Sequence, residues 1–144
     1  MSQVDSILSL FNLTDQRLTQ VAVLAPQRLA GQTLHVISAI LTYSLKRCPH
    51  CGSTATIKNG THLSRIRLGT LNGGRYELHL KRQRYLCQHC GATCGAQTKM
   101  VKAHATFSHE LIHQVIALAK PMITAKNIAL IVGISASSVQ RILN

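Results

Sequence analysis

The chain has 144 residues, 46% of them hydrophobic and none tryptophan, which is material for one ordinary domain or two small ones with a core thin in aromatics. Sixteen Lys and Arg face only Asp5, Asp15, Glu77 and Glu110, a formal charge of +12. The opening MSQVDSILSL lacks the basic and long apolar regions of a secretory signal, and no apolar run reaches about 18 residues, which argues against export and against a membrane span.

The charge is concentrated. Residues 46–102 carry eleven bases against Glu77 alone, whereas residues 1–45 balance to zero. Dispersed bases merely solvate a surface; a concentrated excess attracts a polyanion, and nucleic acid is the common one. Five cysteines, an odd count without an export signal, point away from a disulfide framework and toward reduced thiols free to bind metal.

Along the chain, Val4, Ile7, Leu8 and Phe11 recur at helical spacing over residues 2–12, with Ser2 and Asp5 as a capping pair. The runs LTQVAVLAP and TLHVISAILTYSL are rich in β-branched residues and predict a hairpin leading into Cys48, residues 15–25 also being open to a helix. In the second run Ile37, Ala39, Leu41, Tyr43 and Leu45 share one face of a strand. Asn59-Gly60 and Asn72-Gly73-Gly74 read as turns, and Tyr76, Leu78 and Leu80 mark a strand. Its alternation slips where Lys81, Arg82 and Arg84 crowd together, which predicts a bulge or an exposed edge.

CPHCG (48–52) and CQHCG (87–91) share the form C-x-x-C-G. Two intervening residues let both sulfurs of a pair converge on one ion, and a following glycine allows the left-handed turn that closes the knuckle. Two such turns supply four thiolates, Cys48, Cys51, Cys87 and Cys90, the ligand set of a structural zinc site. Iron fits the same thiolates, although so basic a chain suits electron transfer only to an acidic partner. A redox dithiol would need a thioredoxin-like βαβ setting that the sequence lacks. His50 and His89, inside the knuckles, read as solvent-facing, and Cys94, off the pattern, reads as a buried unligated thiol.

From residue 103 the periodicity is helical. Ser108 caps a helix with Leu111, Ile112, Val115, Ile116 and Ala119 inward, ended by Pro121. Thr124 caps a second over 125–132, stopped by Gly133, and a third begins near Ala136. The pattern is that of a helix-turn-helix with Ile128, Val132, Ile134, Val139 and Ile142 as shared core. Ser137, Ser138, Gln140, Arg141 and Asn144 are left to face solvent, where hydroxyls suit phosphates and Gln and Arg suit base edges. His104, His109 and His113 read as a solvated face.

These parts, in this order, resemble the N-terminal region of ISL-three-type bacterial insertion-sequence transposases. The residues that carry the resemblance are CPHCGS, IKNGTH, LKRQRYLCQHCGAT, AQTKMV and NIALIVGISASSVQRIL, over about residues 34–144. The resemblance implies a zinc ribbon and a helix-turn-helix that recognise the element's terminal inverted repeats, followed in the family by an RNase-H-like domain with Asp, Asp and Glu on two metal ions. This chain departs in two ways: Cys94 stands where the family usually has an aromatic, and Asn144 falls near the recognition helix, before any catalytic domain.

The expectation is therefore an α+β chain: N-terminal helix and first strand (1–33), a four-cysteine zinc ribbon in a β domain (34–102), and a three-helix helix-turn-helix (103–144). It binds structural Zn2+ and double-stranded DNA at transposon ends, in the bacterial cytoplasm, and does not catalyse transposition alone. Arg65, Arg67, Lys81, Arg82 and Arg84 track phosphates while the last helix reads bases. Kept alongside are a truncated-transposase regulator that competes for repeat ends or joins the full-length enzyme, and a protein-interaction module that self-associates through its helices.

Overall fold

The computed structural model describes residues 3–13, 15–101 and 105–144. Ser2, the expected cap partner of Asp5, the Val4 side chain and His104 lie outside the described residues. The chain is mixed α+β. Helix α1 (Gln3–Leu10) is followed by strands β1 (Leu18–Val23), β2 (Gln27–Leu29), β3 (Gln32–Leu41), β4 (Thr56–Leu71), β5 (Gly74–Cys87) and β6 (Thr93–Gly95). Three helices end it: α2 (His109–Ala119), α3 (Ala125–Val132) and α4 (Ala136–Leu143).

The strands form one sheet in the order β1-β3-β5-β4, with β2 added to β3 and β6 to β5. Residues 18–23 are thus a strand, not the helix that the sequence left open. β3 lies parallel to β5, Leu34 opposite Arg75 through Leu41 opposite Arg82, and the other pairings between these strands are antiparallel. β3 also runs across residue 33, so the expected boundary there falls inside a strand.

β4 and β5 make a long hairpin. Its turn is Asn72-Gly73, both at positive φ (52° and 77°), the two-residue geometry whose twist matches that of paired strands. Asn59-Gly60, read as a second turn, is instead a bulge within β4: two residues there oppose Arg84 alone, between the pairs Lys58–Tyr85 and Thr61–Gln83. This is the irregularity expected near 81–84, placed on the partner strand. β5 itself is central rather than an edge, and its buried face passes from Leu78, Leu80 and Arg82 to Tyr85 and Cys87 across the bulge.

One face of the sheet packs Ile37, Ala39, Leu41, Ile66, Leu68, Leu78 and Leu80 into a core that Phe11, Leu13, Ala96 and Val101 complete. Tyr85 packs into this core with its ring centroid 5.7 Å from that of Tyr43. Its hydroxyl donates to the Tyr43 carbonyl oxygen (2.5 Å) and accepts from the Tyr43 amide (3.1 Å), which ties the chain entering the first knuckle to the strand entering the second. Arg17 lies 4.7 Å from the Tyr43 ring centroid and is paired with Asp15. That pairing, chiefly its hydrogen bond, holds the Asp15 carboxyl well below the usual carboxylate range.

A second core belongs to the helices: Leu111, Val115, Ile128, Ala129, Val132, Ile134 and Val139. Ser108, Thr124 and Ser135 cap α2, α3 and α4, each side-chain oxygen accepting from an amide three residues on. Gly133 ends α3 at φ 84°, and its amide donates to the Ala129 carbonyl oxygen. A Cβ on Gly133 would stand 2.4 Å from the Nε of Arg75, so the sheet's own side chain closes this turn.

The helices are fastened to the sheet by backbone bonds. Arg67 donates its amide to the Thr106 carbonyl oxygen and accepts at its own carbonyl from the Ser108 amide. Gln114 of α2 accepts from the Thr70 amide and donates to the Thr70 carbonyl oxygen, as another strand would. Gly69 makes room for it, sitting at φ 112° with an added Cβ only 2.4 Å from the Gln114 carboxamide oxygen. Gly69→Ala is expected to lower stability by about 1–3 kcal/mol, through backbone strain and the displaced carboxamide. An unshifted urea midpoint would remove this account of the joint.

Candidate metal centre and nucleic-acid interface

The two C-x-x-C-G segments fold alike. In the first, the Cys48 amide donates to the Ser53 carbonyl oxygen and the Gly52 amide to that of Cys48; in the second, Cys87 to Ala92 and Gly91 to Cys87. Gly52 and Gly91 both lie near φ 75°, as a knuckle closing on itself requires. The hairpin brings the knuckles together, because Thr56 pairs with Cys87 and the Gln88 amide donates to the Ala55 carbonyl oxygen. Thr56 also donates its hydroxyl to the Leu45 carbonyl oxygen, fixing the strand start against the approach to Cys48.

Four sulfurs converge in consequence. Cys48 and Cys90 Sγ are 3.7 Å apart, Cys51 and Cys87 3.6 Å, and all four lie within 4.8 Å of one another. A tetrahedron with Zn–S bonds of 2.3 Å has edges of about 3.8 Å, so the spacing suits a single ion of that size. Cys48 and Cys87 are buried while Cys51 and Cys90 are exposed, a site open along one side.

The electrostatics call for a cation. The amides of Cys90 and then His89 point at the Cys87 sulfur and bring its thiol down to about 6; those of Cys51 and His50 lower Cys48. Cys51, although the Ser53 amide is aimed at it, is pushed up to about 12 by partial desolvation of its sulfur and by the crowding of the other three sulfurs. Four thiolates cannot share this space unneutralised, and a bound divalent ion resolves the conflict. The donor set and spacing fit Zn2+ as a structural ion.

Residues 44–90 match the family described as the zinc-finger of transposase IS204/IS1001/IS1096/IS1165. No curated protein and no solved structure matches the chain. The matched segment holds all four cysteines and the whole β4–β5 hairpin, so the transposase zinc ribbon is the likeness of the site just described. A transposase-type zinc ribbon of this kind is a nucleic-acid-binding, metal-binding module.

The other expected site residues fall around this ribbon as follows. Arg65, Arg67, Lys81 and Arg84 are exposed along the hairpin, and no acid pairs with any of them among the described residues. Arg82 is a correction: it is only 8% exposed, continues the inward face of Leu78 and Leu80, and donates from Nη1 to the Ala96 carbonyl oxygen. Counting by two from Leu78 would have turned it inward; its charge suggested otherwise. Ser138 is a second correction. It is 6% exposed, and its hydroxyl accepts from Ser135 and from the Arg141 guanidinium instead of facing solvent. Ser137, Gln140, Arg141 and Asn144 are exposed.

His50 and His89 are exposed and outside the sulfur cluster. Cys94 is likewise apart from it, half-buried opposite Tyr85 on β6 against the core, and burial raises its thiol. Among the described residues no helix is long and apolar enough to cross a membrane.

Proposed function

We propose that this chain is the DNA-recognition part of an insertion-sequence transposase, binding the element's terminal inverted repeats with its zinc ribbon and a helix-turn-helix. The observation that carries the reading is the four-sulfur centre in a segment similar to transposase zinc fingers, joined to a hairpin whose exposed arginines have no acid partners among the described residues. In this reading α3 and α4, joined at Gly133, are the helix-turn-helix, and α4 presents Ser137, Gln140, Arg141 and Asn144 to the major groove. Its apolar side supplies Val139 to the helical core, which fixes which side is free. Zinc organises the fold, and the chemistry of strand cleavage belongs to another part of the enzyme. A product limited to this region would act in the bacterial cytoplasm as a competitor for repeat ends or as a partner of the full-length transposase.

A gel shift with random duplex DNA at two salt concentrations tests it. Four phosphate contacts by Arg65, Arg67, Lys81 and Arg84 would give a logarithmic salt slope of about −3.6, or roughly a 150-fold loss of affinity from 50 to 200 mM salt. Binding without salt dependence, or no binding, would favour a protein-interaction module instead.

A further inference from the structure

Beside the ribbon's bulge lies a cleft of about 690 Å³ formed by β4, β5, β6 and residues 105–106. Arg65, Arg82 and Arg84 line it with His62, and Ser64 and Thr106 add hydroxyls; no acid lines it. Arg82 is the decisive residue. It is more than nine-tenths buried, yet among the described residues only its Nη1 meets an acceptor, the Ala96 carbonyl oxygen, and its buried Nε meets none. A buried guanidinium left without an anion is costly, and burial already pulls this one below its ordinary value. A charge held so has a use if an anion enters the cleft, since guanidinium nitrogens match a phosphate's oxygens in pairs.

We infer that the cleft is a built seat for the phosphodiester backbone of a bound nucleic-acid strand, one phosphate over Arg82 at its base and neighbouring phosphates at Arg65 and Arg84 on its rim. The inference rests on the DNA-binding reading and makes it local: one strand is gripped at a fixed point between the zinc knuckles and the helices, in addition to being attracted by exposed charge. Thr106 ties the seat to the helices, because its carbonyl oxygen accepts the Arg67 amide one residue pair from the cap of α2.

Cys94 lines the same cleft and serves as a reporter. In the zinc-loaded chain, maleimide labelling of Cys94, located by peptide mass mapping, is expected to slow several-fold when a short random duplex is bound. Sodium phosphate at the same ionic strength is expected to protect less, and equal protection by phosphate and duplex would mean a free-anion site and overturn the strand assignment. Arg65→Ala and Arg84→Ala, both at exposed positions, should each reduce the salt slope by about 0.9, one phosphate contact apiece. Arg82→Lys keeps the charge but loses the planar fork, and should weaken duplex binding while its own zinc content stays at one per chain. If duplex binds with its full salt slope in both rim variants and Cys94 labels at an unchanged rate, the seat is refuted while DNA binding stands. If no duplex binds at all, both readings fall.

Discussion

Cys87→Ser is expected to leave a chain that neither holds one equivalent of zinc nor keeps its sheet. Structural zinc contributes on the order of 10–16 kcal/mol in finger peptides, as much as or more than the roughly 5–15 kcal/mol by which whole domains are stable. Here the ion closes both knuckles and the start of the β4–β5 hairpin, and Cys87 also pairs with Thr56 and packs at 2% exposure. Serine at this position keeps the shape but offers no thiolate, leaving three sulfurs around the ion. Elemental analysis of the purified wild-type chain should give one zinc per chain. Chelation should abolish amide-exchange protection first around residues 44–57 and 84–95, then across the sheet. A metal-free chain with full protection, or iron with visible absorption, would remove the structural-zinc assignment.

The second large effect is expected at α4. Gln140→Ala and Arg141→Ala should each cost about 1–3 kcal/mol of binding to the cognate repeat, roughly 5- to 150-fold, with little change on random duplex. Both side chains are exposed on a helix whose other side is occupied by Val139 and Ser138, so truncation leaves the core intact. Arg141 differs in one respect: its Nη2 donates to Ser138 Oγ at 3.1 Å, which holds the guanidinium before any DNA arrives. The Gln140 variant is the cleaner probe for that reason. Equal losses on cognate and random sequence would sink the recognition-helix proposal and leave only phosphate contact at this surface.

The parts legible in the sequence were those encoded locally. C-x-x-C-G needs only a handful of residues to make a knuckle, Asn72-Gly73 specifies its own turn, and Ser108, Thr124 and Gly133 carry their capping chemistry in one side chain or its absence. What stayed hidden depends on partners distant in sequence. The parallel pairing of β3 with β5 makes β5 central and buries Arg82, and neither strand's own residues announce it. Asn59-Gly60 looks like a turn by composition and becomes a bulge because β5 continues past it. Ser138 looked free because it is polar, whereas its hydroxyl is absorbed by the α4 cap and by Arg141. Gln114 has no motif at all; only the folded chain shows its carboxamide standing in for a strand.

The β4–β5 hairpin joins the sulfur centre, at the Thr56–Cys87 pair, to the helix joint at Thr70. Fourteen residues of strand at about 3.3 Å each put these two ends up to roughly 46 Å apart, the bulges at Asn59-Gly60 and Leu68 shortening the span somewhat. One turn of duplex is about 34–36 Å. In the proposed complex the hairpin is therefore a gauge: its length in residue pairs, not any side chain, would set how far along a duplex the two ends of this chain reach together. Removing one two-residue repeat from each strand would keep every side chain on its face and shorten the gauge by about 7 Å.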